Sequence, residues 1–244
     1  MAGAAKIDYG QDAPGIVKSM FSRGGWTLAF AIAIFVMNRA EYPGPAARML
    51  AVLGLIAAVF LATGAIMVWS SKVAKLALRD RLIQSLALKG DEKVLDVGCG
   101  RGLMLIGVAK RLKSGKVTGV DLWNPADQSG NSADATKENA KIEGVAEKVR
   151  VENGDARKLV YPDGNFDVVV SSLAIHNIPE RAEREQAVRE MFRVLKAGGR
   201  LLIYDIFKTG EYAKVLRESG AQDIELSATS FLWCVPSRSL TARK

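Results

Sequence analysis

The sequence predicts an α/β domain with a mostly parallel, doubly wound, seven-stranded sheet, preceded by an α-helical transmembrane hairpin. From residue 91 onwards, short apolar runs alternate with helical segments, as in a sheet covered by helices on both faces. A glycine-rich junction follows the first of these runs. Two long uncharged apolar stretches come before residue 91. These three observations divide the chain into a membrane part and a globular part.

The composition limits the class of protein. A chain of 244 residues accommodates one α/β domain of ordinary size with an appendage. Residues 1–90 contain ten Lys and Arg against four Asp and Glu, whereas residues 91–244 are nearly balanced. The basic excess therefore belongs to the N-terminal part, and we expect no nucleic-acid partner. Because Cys99 lies in the glycine-rich loop and Cys234 is the only other cysteine, we expect a reducing compartment and no structural disulfide.

The N-terminal third is expected to begin with a polar segment, residues 1–23, in which Gly and Pro discourage regular structure. Gly24–Met37 is then uncharged over 14 residues and Met49–Trp69 over 21. The second stretch is long enough to cross a bilayer, which takes about 20 residues. The first, about 21 Å as a helix, is marginal. The alternatives are a signal peptide for the first stretch and a core helix for the second.

A Pro-Gly-Pro turn at residues 43–45 separates the two stretches, so residues 24–70 are predicted to form a membrane hairpin. Residues 71–90 are predicted to form a basic juxtamembrane helix that runs to about Leu88. Its Lys72, Lys75 and Arg79 recur at spacings of three and four, on one side of the helix. Such a stripe suits anionic headgroups and indicates the cytoplasmic side of the membrane. Alternatively, it is the solvated face of a helix that packs on the globular domain.

The globular domain, residues 91–244, opens with the strand Val94–Val97 and the pattern D-x-G-x-G-x-G, formed by Asp96 with Gly98, Gly100 and Gly102. An apolar helix, Leu103–Leu112, follows. This junction offers backbone N–H groups and a helix N-terminus to a ligand that comes close to the main chain. The dinucleotide fingerprint G-x-G-x-x-G would need glycine where the chain has Leu103.

Two further acidic residues follow predicted strands. The second strand, Lys116–Leu122, ends around Asp121, which stands 19 residues beyond Gly102 and is placed to accept hydrogen bonds from ribose hydroxyls. The polar loop Trp123–Ala133 is expected to cover the entrance of the site. A third strand, Val149–Glu152, precedes the turn that contains Asp155.

The fourth strand, Phe166–Ser172, is apolar enough to be buried on both faces. Ser171 lies at its carboxyl edge. His176, the only histidine, follows in the same edge segment and is the candidate general base for a thiol, hydroxyl or amine. The alternative is a packing or hydrogen-bonding histidine.

The remaining elements complete the alternation of strands and helices. They are the helix Arg181–Leu195, the turn Lys196–Gly199, the strand Arg200–Tyr204, the helix Glu211–Ser219, the antiparallel strands Gln222–Leu226 and Phe231–Val235, and a basic tail, Ser237–Lys244.

Four motifs in this order resemble the class I S-adenosylmethionine-dependent methyltransferases over about residues 91–235. They are the D-x-G-x-G-x-G loop, the acidic Asp121, the N-G-D-A turn and the segment R-V-L-K-A-G-G-R-L, in which Ala197 replaces the family's proline. The resemblance implies a Rossmann-like fold and S-adenosyl-L-methionine as the cofactor.

The resemblance also implies roles for individual residues. Asp96 would lie under the ammonium group of the cofactor, Asp155 would take the adenine amino group, and Ala156 would pack on the ring. The remaining residues expected to bind the cofactor are Gly98, Cys99, Gly100, Gly102, Asp121, Leu122 and Ser171. No metal is expected.

Together these features predict an integral membrane methyltransferase with its catalytic domain on the cytoplasmic side, acting on a small or amphiphilic acceptor. The amine-methylating pattern N-P-P-aromatic is absent, which argues against adenine or glutamine amides. The alternatives are a protein methyltransferase docked at the membrane and a non-catalytic cofactor-binding scaffold. Because every cofactor motif lies beyond residue 90, a chain that begins near Ser71 is expected to retain cofactor binding.

Overall fold

A computed structural model describes residues 7–231 and 236–244 and contains one seven-stranded sheet of order β3-β2-β1-β4-β5-β7-β6. The strands are β1 Lys93–Val97, β2 Lys116–Asp121, β3 Val149–Asn153, β4 Phe166–Ser172, β5 Leu195–Ile206, β6 Gln222–Leu226 and β7 Ser237–Arg243. Strands β1 to β5 are parallel, and β7 is antiparallel to both of its neighbours. The predicted Rossmann-like α/β fold is confirmed.

Helices cover both faces of the sheet and extend from it. They are α1 Pro14–Asn38, α2 Pro43–Trp69, α3 Lys75–Ser85, α4 Leu103–Ala109, α5 Ala133–Ile142, α6 Arg181–Arg193 and α7 Thr209–Glu218. A π-helical turn, Ser70–Ala74, joins α2 to α3. One apolar core lies under α6 and α7, and a second lies under α3 and α4. Because β1 pairs with both β2 and β4, the strand order reverses there, and a crevice opens at the carboxyl ends of the strands.

The N-terminal helix starts earlier than the sequence indicates. Residues 1–23 were expected to lack regular structure, but α1 begins at Pro14. Proline suits the first helical position because its fixed φ matches the helix and its missing N–H costs nothing there. Gly24, inside the helix, is buried against α2. A Cβ at this position would lie 2.7 Å from Leu61 Cγ, so the close approach of the two helices requires glycine here. The polar segment is thus partly helix, and only residues 7–13 of its described part precede the helix.

Helices α1 and α2 pack against each other as an antiparallel pair. Gly64 faces the ring of Phe21, and Ala31 and Ala57 are buried, so small residues bring the two backbones together. The large apolar side chains point outward instead, among them Trp26, Phe30, Met37 and Leu55. By length and composition, both helices could cross a membrane. Only 11% of the most apolar window in each is buried, whereas a core helix of a soluble domain is mostly buried.

The basic stripe, which runs from Lys72 in the π-helical turn to Lys75 and Arg79 in α3, does not face outward as a unit. Lys75 is buried, with 2% of its surface exposed, and its ammonium contacts residues 9–12. Arg79 lies over the ring of Tyr9, so of the three stripe residues only Lys72 is exposed. The helix ends at Ser85, not near Leu88. The prediction of a headgroup-binding stripe is therefore wrong for Lys75 and Arg79, because α3 packs on the globular domain.

The C-terminal part of the sheet also differs from the prediction. The predicted basic tail is strand β7, which lies between β5 and β6, with Ser237, Leu240 and Ala242 buried. The composition of this segment does not indicate a strand, because it is mostly polar and only its few inward-facing residues are small or apolar. Strand β5 already begins at Leu195, and Gly198, at φ +72°, lies in an irregular stretch where a turn was predicted. The strand predicted at residues 231–235 falls almost wholly outside the described residues.

Candidate active site

A cavity of about 280 Å³ lies at the carboxyl ends of β1, β2 and β4. Its wall includes eight of the predicted site residues: Asp96, Gly98, Cys99, Gly100, Asp121, Leu122, Asp155 and Ala156. Three predicted residues, Gly102, Ser171 and His176, are not among the described residues that line it. The sheet therefore brings together residues that are up to 60 positions apart in the sequence.

The glycine loop allows the backbone to form the cavity floor. Gly98, at φ +74°, faces the segment that follows β4, and a Cβ there would lie 2.2 Å from the Cβ of Ala174. Gly102, at φ +88°, caps the N-terminus of α4. Its place behind the loop explains why it is absent from the lining. Cys99 lines the cavity but is almost buried, and burial raises the pKa of its thiol.

Asp96 is the most unusual group in the cavity. Its side chain is 1% exposed, and Oδ2 has no hydrogen-bond partner among the described residues. The pKa of Asp96 is raised to about 8, chiefly by burial and also by nearby Asp121, while the backbone N–H of Leu105 acts in the opposite direction. A buried carboxylate oxygen without a partner is costly, so a cationic group in the cavity would compensate it.

Asp121 holds the glycine loop in place while it faces the cavity. Its Oδ2 accepts the N–H of Gly100 at 2.8 Å, and its Oδ1 accepts the N–H of Trp123 at 2.6 Å and the Nδ2 of Asn131 at 3.3 Å. Leu122, the next residue, is 64% exposed and lines the same wall.

Asp155 is already paired in the structure. The Arg157 guanidinium binds both of its oxygens, with Nη2 to Oδ2 at 2.7 Å, and also reaches Glu183. These hydrogen bonds hold the pKa of Asp155 below its usual value. Asp155 is thus fixed as a carboxylate, with Ala156 beside it in the wall.

His176 lies on a short 3-10 turn, Ile175–Asn177, between two residues that line the cavity. Its Nδ1 is 2.5 Å from Oδ1 of Asp205, and its backbone N–H donates to Oδ2 of Asp205 at 3.0 Å. Asp205 is fully buried and also accepts the hydroxyl of Tyr212 at 3.1 Å. When the carboxylate accepts from Nδ1, the other ring nitrogen, Nε2, carries the lone pair.

Ser171 is buried in β4, and its Oγ has no partner among the described residues. Its neighbour Ser172 lines the cavity instead. Successive residues of a strand point to opposite faces, so a one-residue error in locating the strand edge exchanges the two serines.

Sequence reasoning missed Asp205 and Asp12. Asp205 follows the predicted fifth strand directly, so the strand-end argument that identified Asp121 would have found it. Asp12 lines the cavity from a position before helix α1, and no spacing in the sequence indicates this. The predicted covering loop does contribute residues to the wall, namely Asn124, Asp127, Gln128 and Asn131.

Comparison with known proteins agrees with this geometry. Residues 95–203 match the methyltransferase domain family. A demethylmenaquinone methyltransferase of Staphylococcus aureus is 34% identical over 122 residues, which are 50% of this chain and 46% of that protein. A sterol 4-C-methyltransferase of Caenorhabditis elegans is 28% identical over 142 residues, 58% of this chain and 39% of that protein. This chain thus matches about half or less of the length of these relatives.

Among solved structures, a SAM-dependent methyltransferase from Aquifex aeolicus superposes with a TM-score of 0.53 at 21% identity, covering 67% of this chain and 88% of that one. At this identity the likeness demonstrates the fold. Together with the family match at residues 95–203, it shows that the globular part contains a methyltransferase-type α/β domain. Helices α1 and α2 lie outside the matched residues.

Proposed function

We propose that this protein is a membrane-anchored methyltransferase that uses S-adenosylmethionine to methylate a small, amphiphilic acceptor. The observation that carries the proposal is the unpartnered, buried Oδ2 of Asp96 in a cavity floored by a glycine loop. A cofactor that bears an ammonium and a sulfonium suits such a carboxylate. When bound, the cofactor supplies an electrophilic methyl group.

The proposed cofactor contacts follow the walls of the cavity. Asp96 pairs with the cationic end, and the backbone of Gly98, Cys99 and Gly100 lies beneath the cofactor. Asp121 and Leu122 form the ribose side, and Asp155 with Ala156 forms the base side. Gly102 and Ser171 support this wall from behind, since neither is among the lining residues.

For the acceptor, we assign the role of general base to His176. Asp205 fixes the ring so that Nε2 is the atom able to take a proton, and Ile175 and Asn177 place the turn at the cavity. A base at this point suits a hydroxyl, a thiol or an ammonium that must lose its proton before it attacks. Positioning and exclusion of water supply the remaining rate enhancement.

The anchor supports an acceptor that dissolves in membranes. Helices α1 and α2 leave most of their apolar side chains uncovered, and α1 begins two residues after Asp12, which lines the cavity. An enzyme held this close to a bilayer experiences a high effective concentration of any acceptor dissolved there. The named relatives act on demethylmenaquinone and on a sterol, which is in keeping with a small-molecule acceptor.

For the same hairpin we propose that both ends face the cytoplasm. Lys18 and Arg23 precede its most apolar part and Lys72 follows it, although Arg39 and Arg48 near the turn reduce the asymmetry. Labelling of a cysteine introduced at Glu41 should succeed from outside the cell. Labelling near Ala5 from that side would mean that only the second helix spans.

The test uses full-length protein in lipid vesicles, labelled cofactor and four kinds of acceptor: extracted membrane lipids, small thiols, phenols and amines, and peptides. Label should enter the lipid fraction, and enter it faster when enzyme and lipid share a vesicle than when they are in separate vesicles. A soluble short-chain analogue of the labelled lipid should show no such difference. Transfer to peptides would favour a protein methyltransferase, and cofactor binding without any transfer would favour a scaffold.

A further inference from the structure

Residues 7–13, which we call the strap, cross the globular domain just before the chain enters α1. The strap contacts the glycine loop directly: Arg101 Nε donates to the carbonyl of Asp8 at 2.8 Å, and its guanidinium also pairs with the Asp8 carboxylate at 3.1 Å. Asn139 of α5 binds the same carbonyl at 2.8 Å. The strap is therefore anchored to the element that floors the cavity.

The strap also contacts the loop that follows β2. The N–H of Gln11 donates to Ser129 Oγ at 2.8 Å, and the N–H of Ala13 donates to the carbonyl of Asp127 at 3.3 Å. Between these contacts lies Asp12, whose Oδ1 accepts from Gln128 Nε2 at 3.1 Å. This segment thus runs alongside residues that line the cavity.

Gln128 links Asp12 to the glycine loop. While its amide nitrogen donates to Asp12, its Oε1 accepts the backbone N–H of Arg101 at 2.8 Å. Two hydrogen bonds therefore connect a strap carboxylate to the main chain of the loop. Because Asp12 itself lines the cavity, the strap forms part of its wall and does not merely lie nearby.

Lys75 holds the strap from the other side. Its Nζ donates to the carbonyl of Tyr9 at 2.9 Å, to that of Gly10 at 2.7 Å and to Asp12 Oδ2 at 3.4 Å. A lysine is seldom so deeply buried unless its charge is compensated, and here all three acceptors belong to the strap. Ser71, at the exit of the hairpin, accepts the N–H of Asp12 at 3.3 Å. The two ends of the hairpin are thus joined to each other through the strap.

We infer that Lys75 is a positioning residue for cofactor binding: it holds the strap so that Asp12 completes the wall of the cofactor cavity. This inference rests on the proposed function, since it takes the cavity to be the cofactor site. Asp12, paired with Lys75, adds a hydrogen-bonding carboxylate to the wall beside Gln128. A chain that begins near Ser71 would lack this wall, so the expectation that it retains full cofactor binding changes to one of weakened binding.

The test compares Lys75→Met and Lys75→Arg with the matched control Lys72→Met, all in the full-length protein in detergent or vesicles. Lys72 lies one turn earlier and is exposed. The readouts are hydrogen exchange of the amides of residues 10–13 without cofactor, the Kd for S-adenosylmethionine, and the separate values of KM and kcat. Lys75→Met should speed the exchange and raise the Kd and the cofactor KM at least tenfold, with kcat nearly unchanged. Lys75→Arg should recover part of the affinity, and Lys72→Met should match wild type.

Unchanged exchange and unchanged Kd in Lys75→Met would overturn the inference, as would a lowered Tm with wild-type affinity. If Lys75→Met fails to fold, Asp12→Ala decides: it should raise the Kd, and wild-type affinity would refute the role of the strap. Wild-type protein that binds no S-adenosylmethionine would instead refute the proposed cofactor site. In that case faster exchange in Lys75→Met would still demonstrate that the lysine holds the strap.

Discussion

The two walls of the cavity are built in different ways. The wall from β1, β2 and the segment after β4 is formed by the backbone. It consists of the ends of central strands and of glycines with positive φ in the loop that follows β1. The strap wall is held by side chains, chiefly those of Lys75, Arg101 and Gln128. Segments fixed by a few side-chain hydrogen bonds open locally at lower free energy than central strands do. On the proposed function, the first wall determines whether the cofactor fits, and the second determines how firmly it is held.

The largest expected effect comes from an alanine substitution in each wall, at Gly98 and at Gly10, two glycines with nearly the same positive φ. Gly98→Ala should lower the free energy of unfolding by about 2–5 kcal/mol, since it combines overpacking with a strained φ, and should abolish cofactor binding. Gly10→Ala in the strap, also at positive φ, should cost less. Its Cβ would meet side-chain atoms of Gln128 and Arg101 at 2.8 and 2.9 Å, which can move, and the backbone oxygen of Ser129 at 3.0 Å, whereas a Cβ at Gly98 would lie 2.2 Å from that of Ala174.

Gly144→Ala is the control, because Gly144 has φ +69° and open space around it, so it isolates the cost of φ alone. Thermal unfolding and calorimetric titration with S-adenosylmethionine measure both quantities. Equal losses at Gly98 and Gly10 would mean that the two walls are equally rigid.

The second effect concerns Asp205, which orients the proposed general base, His176. Asp205→Asn should lower kcat about 10²–10⁴-fold, the usual contribution of a general base, because the ring of His176 loses its orienting carboxylate. The Kd for cofactor should stay the same. The change Tyr212→Phe removes one hydrogen bond to Asp205 and should have a smaller effect. A normal kcat in Asp205→Asn would make His176 a structural residue.

The third effect concerns Asp121, which accepts a hydrogen bond from the glycine loop. Asp121→Ala should weaken cofactor binding by about 1–3 kcal/mol, because it removes an acceptor for ribose hydroxyls and leaves the N–H of Gly100 without its partner. The change Asp121→Asn retains one acceptor oxygen and should lose less. Calorimetry measures both, with NADH as a competitor. Comparable binding of NADH would contradict the cofactor assignment.

The smallest effect is a pH dependence from the buried Asp96. Its pKa of about 8 in the free protein lies above the ordinary value, so the group is mostly protonated at pH 7. Pairing with an ammonium favours the charged form, so binding should release up to one proton below about pH 8. Affinity should rise with pH by at most tenfold per unit and level off above pH 8. Calorimetry in two buffers of different ionisation enthalpy measures the released protons.

Asp96→Asn should bind without proton release. This control is needed because Asp127, which also lines the cavity, has its pKa raised by burial. Proton release that persists in Asp96→Asn would assign the effect to Asp127.

The sheet wall was predictable from the sequence because its signals are local. Asp96 and the three glycines lie within seven residues, and Asp121 and Asp155 each follow an apolar run that predicts a strand. The strap was not predictable because its partners are distant: Asp8 contacts Asn139, 131 residues away, and only the fold brings them together. Lys75 was misassigned for the same reason. From the sequence alone, a lysine that follows an apolar helix is expected to contact lipid headgroups. Only the fold shows that Lys75 donates to carbonyls of the strap instead.

Strand β7 was missed for a different reason. Strand prediction depends on alternating apolar residues, and this segment buries Ser237 and small Ala242 alongside Leu240. Backbone hydrogen bonds to β5 on one edge and to β6 on the other stabilise it. These hydrogen bonds do not depend on the side chains, so the composition does not indicate them.

The order of synthesis gives the strap a further consequence. Residues 7–13 leave the ribosome before the hairpin, yet Arg101, Gln128 and Asn139 are made about 90 to 130 residues later. At about 5–20 residues per second, the strap waits roughly 5–25 s for its partners. During that time the synthesis of α1 and α2 is completed. The strap wall is thus completed only after α1 and α2 have been made, when the sheet has begun to form around its first strands.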